Sequence, residues 1–473
     1  MAGTTLDWAG LQAAIDGRVV VPSSSDYDVV RRPEMARFDD VLPEAVVRCA
    51  APADVSATIA FARQHRLPIA IRSGGHSVSG RSSTDGVVID VALLDGVTVD
   101  GDVVRVGGGV RLGDLYDVLQ AHGLTIPAGS SHSVGIAGLT LGGGIGILGR
   151  KHGLTCDQLL SAEIVLADGR VVECDEHHDD ALFWALRGAG GGNFGVVTSL
   201  VLHAVPAPAV TVFHLVWPFE RAGEVIRAWQ EWAPTGPDEL DATLRLSATG
   251  DVERPPLVDV FGAVLGGDAD AEELLGELVA RAGADPNSAA RRHLPYREAK
   301  RYLDGLGPAD EWGEEPPPMP PPSADHLFTK SELFRRALPN ETIAALVENL
   351  PQGLVRGQSR EVSFLPWGGA YNRLPADATA FVHRDELFLI QHLVALDPAA
   401  DGRGRGSTSD WLTRSWACVH PWGSGGVYPN FPDPDLDDWC HAYYGRNDAR
   451  LRRIKAEYDP DGFFQFHQGI AAG

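Results

Sequence analysis

Six of the twelve residues from Gly135 to Gly146 are glycine, in Gly135-Ile-Ala-Gly-Leu-Thr-Leu-Gly-Gly-Gly-Ile-Gly146. Glycine-rich backbone loses more freedom on folding than any other, so it is kept where main chain must come close to something or adopt angles closed to side chains. The interleaved apolar residues place that approach indoors and suit a flat or extended ligand. Two further glycine turns flank the block, Arg72-Ser-Gly-Gly-His-Ser77 before it and Gly153-Leu-Thr-Cys-Asp157 after it. His76 and Cys156 each offer a nucleophilic side chain there, and together the three segments predict a cofactor cradle tethered at two points.

The nature of the ligand follows from the loops. Gly74 and Gly75 let successive N–H groups converge on one anion, and Ser73 and Ser77 add hydroxyl donors, so the loop from Arg72 to Gly80 suits a pyrophosphate. A nicotinamide fingerprint needs its glycines directly between a strand and a helix, with an acid about 20 residues on. Gly142-Gly-Gly-Ile-Gly146 does not meet that context, and that reading is rejected. A reactive cysteine needs nearby positive charge to hold its thiolate, and Arg150, Lys151 and His152 lie just before Cys156. The His177-His178 pair beside Asp179 and Asp180 reads as a solvated turn rather than a metal site.

The 473 residues, 44% hydrophobic, are enough for two or three lobes. With 40 basic and 64 acidic residues the net charge is −24, which argues against nucleic acid and anionic membrane surfaces as partners. No apolar run of about 18 residues is present to span a bilayer. The N-terminus lacks a secretory pattern, and Cys49, Cys156, Cys174, Cys418 and Cys440 are scattered without CxxC spacing. A cytoplasmic protein without a disulfide framework is expected.

Short strands are predicted at Val46–Cys49, Leu67–Ile71, Gly86–Asp90, Val103–Val106, Ile164–Leu166 and Gly195–Leu202, with helices over 53–65, 112–122 and 180–187 and a hairpin turn at Ala167-Asp-Gly-Arg170. The character changes from about residue 210, where helices alternate with longer strand-like runs such as Thr379–Phe381 and Leu387–Leu396. Glu314-Glu-Pro-Pro-Pro-Met-Pro-Pro-Pro322 reads as a rigid surface excursion.

These motifs carry a resemblance. With Phe183-Trp-Ala-Leu-Arg-Gly188, Gly192-Asn-Phe-Gly-Val-Val197, Phe381-Val-His-Arg-Asp385, Tyr443-Tyr-Gly445 and Tyr458-Asp-Pro460, the chain from about residue 40 onward resembles the berberine bridge enzyme-like flavoproteins. These are FAD-linked oxidases with the vanillyl-alcohol oxidase, or PCMH-type, FAD domain. The resemblance implies an α+β fold: an FAD-binding domain of two α/β subdomains, plus a substrate domain whose large antiparallel sheet is backed by helices. The expected division is an N-terminal segment 1–39, the FAD domain 40–208, the substrate domain 209–427 and a returning segment 428–473.

The resemblance also implies chemistry. FAD is expected to be bicovalent, with His76 on the 8α-methyl carbon and Cys156 on C6 of the flavin. Cofactor contacts are expected from Arg72, Ser73, Gly74, Gly75, Ser77, Gly80, Gly135, Gly138, Gly142, Gly146, Gly195, Val197 and Asn430. His467, where relatives carry Asn, is expected to bond to the flavin too. Tyr428 matches a catalytic tyrosine, Gln391 a positioning residue and Tyr371 a substrate-face residue. The implied reaction is hydride transfer to flavin N5 from an alcohol or hemiacetal carbon, or an oxidative ring closure, of a bulky small molecule, with O₂ reduced to H₂O₂. The alternatives are an oligosaccharide oxidase or a dehydrogenase with another acceptor. A monomer or homodimer is expected, with no metal.

Overall fold

The computed structural model describes residues 6–472 apart from 252, 305–325 and 401; the proline-rich run lies outside the described residues. The first sheet joins β1 (Arg18–Val20), β2 (Ala45–Arg48), β3 (Ile69–Arg72) and β4 (Val87–Asp90) in the order β1-β2-β4-β3. β2, β4 and β3 run parallel, which requires a crossover. The helix Pro52–His65 supplies it, entered at Pro52 and stopped at Arg66 in the left-handed region (φ 55°). β1 adds an antiparallel edge to β2. Asp54, at the start of the crossover helix, accepts the backbone N–H groups of Asp16, Gly17 and Ala50 at 3.0, 2.9 and 2.8 Å. The segment before residue 40 is thereby woven into the first sheet rather than set apart from it.

The second sheet is antiparallel. β5 (Val97–Asp100), β6 (Val103–Gly107), β8 (Leu159–Val165), β9 (Val171–Asp175) and β10 (Val196–His203) lie in the order β5-β6-β10-β8-β9, while β7 (Leu124–Thr125) pairs only with β11 (Val205–Pro206). The β8–β9 hairpin turns at Asp168-Gly169, where Gly169 takes φ +84°. Its core is shared with the helices Leu112–Gln120, Asp180–Leu186 and Asp448–Tyr458. That last helix brings the chain back: Lys455 Nζ donates to Asn193 O at 2.6 Å and to Asp459 Oδ2 at 2.6 Å.

The third sheet has seven strands: β12 (Ala209–Pro218), β13 (Leu240–Thr249), β14 (Leu257–Val264), β15 (Ser288–Pro295), β16 (His326–Phe334), β17 (Gln358–Pro366) and β18 (Phe388–Leu396). Their order is β15-β12-β14-β13-β17-β18-β16, antiparallel throughout. Alternation sorts the faces. Leu240, Ala242, Leu244 and Leu246 of β13, and Phe388, Ile390 and Val394 of β18, pack against the helices behind the sheet, among them Ala222–Trp232 and Asn340–Asn349. Asp241, Thr243, Leu389 and Gln391 point the other way. Thr379–Phe381 is not a strand. The N–H groups of Ala380 and Phe381 bond to the carbonyls of Trp184 and Arg187 at 3.2 and 3.1 Å, so this segment satisfies the end of a helix instead of pairing in a sheet.

Candidate active site

The parallel strands of the first sheet end at a cavity of about 450 Å³, where ligands of open parallel sheets commonly bind. Its wall is assembled from the loop after β3 (Ser73, Gly74, Gly75, His76, Ser77), the glycine block and its approach (Gly129 to Gly138), the turn Gly190–Gly192, the segment Tyr428–Pro432 and the chain end at Phe464–Phe466; Leu327 of β16 closes it from the third sheet.

His76 is half-buried, and its Nε2 lies 2.8 Å from Ser133 Oγ. Burial holds its imidazole below the ordinary histidine range, with Glu34 pulling in the opposite direction, so the ring is neutral near pH 7. Tyr428, 1% exposed, faces the cavity. Its phenol oxygen accepts from Gly144 N at 2.9 Å and from Asn430 Nδ2 at 3.0 Å. Burial raises this phenol's pKa, and the two donors work against that rise.

The glycines act in two ways. A Cβ on Gly74 would lie 2.2 Å from Gly135 N, and one on Gly142 would lie 2.1 Å from Asn430 Oδ1. These residues let protein segments touch one another. Gly138 differs: a Cβ there meets nothing within 4 Å, because the residue faces the cavity. Gly74→Ala is expected to part the two loops, with a loss of roughly 1–3 kcal/mol of stability and a lower ratio of flavin to protein absorbance; a thermal melt and a visible spectrum check both.

Comparison with known proteins identifies the family. Residues 43–175 match the model of an FAD binding domain, and residues 427–471 match the berberine and berberine-like model. The chain is 34% identical over 468 residues to the uncharacterized FAD-linked oxidoreductase YgaK of Bacillus subtilis (strain 168), covering 96% of this chain and 97% of that protein. It is 30% identical over 462 residues to berberine bridge enzyme-like 4 of Arabidopsis thaliana, covering 90% and 84%. The chain belongs to the berberine bridge enzyme-like family of FAD-linked oxidoreductases. The fold agrees: the solved structure of Physcomitrella patens BBE-like 1 superposes with a TM-score of 0.86 at 27% identity, over 99% of this chain and 100% of that one.

The residues present fit FAD. Besides the space at Gly138, Ser73, Gly74, Gly75, Ser77, Gly135, Gly195, Val197 and Asn430 line the same cavity as His76. Several expectations for this family's site need correction. The Arg72 guanidinium turns away and donates to the carbonyls of Val30, Arg31 and Ser82 at 2.8, 2.8 and 3.1 Å, tying down the N-terminal segment. His467 is exposed and off the cavity wall, which Gln465 and Phe466 supply instead. His467 and Gln468 form a turn, closed by Gly469 N–H donating to Phe466 O at 2.8 Å with Gln468 at φ 65°, and Gln468 is the one committed inward, donating to Asp433 O at 2.8 Å.

Cys156 is fully buried and lines neither this cavity nor the second one described below. It sits among Leu154, Trp367, Tyr371, Phe381 and Tyr428. Burial, then the carboxylate of Asp157, push its thiol well above the ordinary range. The basic residues before it do not help. Arg150 spends its guanidinium on the carbonyls of Pro234, Gly236 and Trp367, and Lys151 pairs with Glu239 at 3.3 Å. The cations close by are Arg384, gripped by Asp157 through two bonds of 2.6 and 2.8 Å, and Arg187, and both act against that rise. Gly80 likewise stands off the wall, against the Phe38 ring.

A second cavity, of about 250 Å³, shares Gly129, Ser130 and Ile145 with the first and reaches the open face of the seven-stranded sheet. Tyr371, Gly146, Asp241, Thr243, Phe261 and Trp367 line it. Tyr371 Oη exchanges hydrogen bonds of 3.2 Å with the Gly146 main chain. Gln391 is on the same sheet face but off both cavities, donating to Thr329 Oγ1 at 3.2 Å. Sequence reading missed Asp241, whose pKa burial raises to about 6. It also missed Lys300, in the helix Tyr296–Asp304, which donates to the carbonyls of Ala128 and Gly129 and so holds the loop between the cavities.

Burial lowers the Lys300 ammonium to about 7. Above that pH the folded protein has shed a proton that the unfolded chain keeps until about 10.4. Stability therefore rises with pH through this window. Lys300→Met is expected to flatten that rise, read as melting temperature against pH.

Proposed function

We propose that this protein is an oxidase that holds FAD covalently through His76 and oxidises an alcohol or hemiacetal carbon of a bulky small molecule, with O₂ as the acceptor. The observation that carries the reading is the placement of His76 and Tyr428 on one cavity wall with the glycine loops. FAD, when bound, supplies the two-electron acceptor for the substrate C–H and the route by which the electron pair reaches O₂ to give H₂O₂.

The chain's own residues supply the rest. His76 is neutral, so a ring nitrogen keeps its lone pair for bonding to carbon, and the Ser133 contact fixes the ring's orientation. Tyr428 takes the substrate's hydroxyl proton as its phenolate, and the N–H groups of Gly144 and the Asn430 side chain stabilise that anion before the transfer. The second cavity accommodates the body of the substrate against Trp367, Tyr371 and Phe261, with Gln391 as a positioning residue on the same sheet face.

An alcohol or hemiacetal substrate is supported by likeness to the chitooligosaccharide oxidase of Gibberella zeae, 30% identical over 453 residues and covering 90% of this chain. A screen of alcohols, sugars and aromatic polyketide-like compounds under air, read by peroxide, tests the proposal. Anaerobic bleaching of the flavin band without peroxide under air would make the protein a dehydrogenase instead. No bleaching by any class would leave a flavin-binding protein without turnover.

A further inference from the structure

The first cavity is electrostatically unusual for a chain of net charge −24. Among the described residues on its wall there is no Asp, Glu or Lys, and Arg81 alone carries a permanent charge. Arg81 rides on the loop that ends β3. Its backbone N–H donates to Ser77 Oγ at 3.0 Å, and Gly80 N–H donates to Ser77 O at 3.1 Å. Gly80 makes that turn with φ +80°, and a Cβ there would lie 2.6 Å from the Phe38 ring. The loop therefore folds back on itself and delivers the guanidinium to the same wall as Ser73, Gly74, Gly75 and Ser77.

The guanidinium is poorly satisfied by the protein. It lies over the Phe466 ring at 4.7 Å, and its Nη2 reaches Gln468 Oε1 only at 3.4 Å. Its Nε is shut off from solvent and has no hydrogen-bond partner. The phenols of Tyr443 and Tyr444 are its chief electrostatic neighbours, Tyr443 also as a side-chain hydrogen-bond partner, and no carboxylate stands among them. Other cations of the fold are held by carbonyls or a carboxylate, Arg72 by three carbonyls, Arg384 by Asp157 and Lys455 by Asp459 and two carbonyls, although the Nε atoms of Arg150, Arg187 and Arg384 also lack a partner. Arg81 is half-buried, and a partly desolvated charge with no carboxylate beside it is favoured by an anion from outside the chain.

We propose that Arg81 is the counter-charge for the diphosphate of FAD. The proposal rests on FAD being the occupant of this cavity, and it adds a side-chain cation to a loop otherwise suited to phosphate through its backbone and hydroxyls. Arg81 holds one oxygen edge of the diphosphate through its planar fork while Ser77 and the glycine N–H groups hold the rest. The Phe466 ring keeps the fork in plane with the cavity wall.

The test uses His76→Ala protein freed of flavin, so that binding is reversible, and titrates it with FAD and with riboflavin, which has no phosphate. Flavin fluorescence reads both. Arg81→Gln in that background is expected to weaken FAD roughly 10- to 100-fold and riboflavin by less than about twofold. Arg81→Lys, which keeps the charge and loses the fork, is expected to fall between. ADP is expected to compete with FAD in the parent protein and to compete more weakly after Arg81→Gln. Equal weakening of FAD and riboflavin would show that Arg81 only shapes the cavity and would overturn the proposal, as would unchanged FAD binding. A melt of each variant separates misfolding from lost affinity; if Arg81→Gln does not fold, Arg81→Lys and the ADP competition decide. A parent protein that binds neither FAD nor ADP would overturn the cofactor reading itself.

Discussion

Acid-precipitated wild-type protein is expected to stay yellow, whereas His76→Ala is expected to release all of its flavin into the supernatant. The intact mass of the wild type should exceed that of the polypeptide by one FAD, and that of His76→Ala should not. His76 lines the cavity, is neutral by burial, and is held through Nε2 by Ser133 at 2.8 Å. Those are the requirements for an imidazole nitrogen to bond to an electron-poor flavin carbon. Cys156→Ala is the companion variant. Its sulfur is fully buried off the cavity and its thiol is held protonated, and the thiolate is the nucleophilic form. Colour should therefore stay with the precipitated Cys156→Ala protein. Loss of colour there, or release of flavin from the wild type, would reverse this assignment.

Tyr428→Phe should keep its bound flavin and lose about 10²- to 10⁴-fold in the rate at which an alcohol bleaches the flavin band anaerobically. The substitution removes only an oxygen. The ring still meets Phe431, Phe381 and Trp367 edge-on, at centroid distances of 5.0, 6.1 and 6.3 Å, so the wall keeps its shape. What goes is the acceptor of two N–H groups, from Gly144 and Asn430. Those donors are what allow a phenol whose pKa burial has raised to hold a proton's worth of charge. Asn430→Ala should show a smaller loss in the same direction. An unaltered rate in Tyr428→Phe would reduce it to a packing residue and move the search for a base to Asp241, which lines the neighbouring cavity and whose pKa is raised to about 6.

The elements were legible where local pattern sets them. The crossover helix, the β8–β9 hairpin and the long strand Phe388–Leu396 all follow from apolar spacing, a proline or a glycine at the right place. Thr379–Phe381 was not legible, because its partner is a helix end far earlier in the chain. The glycine block shows both sides. Its density forecast close backbone approach, which Gly138 makes to the cavity. Yet Ile136–Leu141 is a short helix, and Gly74, Gly135 and Gly142 serve contacts between protein segments.

The family was legible from the chain alone, because it is written in ordered motifs with local geometry, and so was the glycine turn after a strand that carries His76. Where side chains point emerged only from the packed fold. Packing turned Arg72 away from the cavity, buried Cys156 behind its lining, exposed His467, and left Arg81 facing the cavity without a carboxylate. Such directions are fixed by carbonyls, rings and counter-charges contributed from distant segments, and spacing along one strand or loop carries no record of those partners.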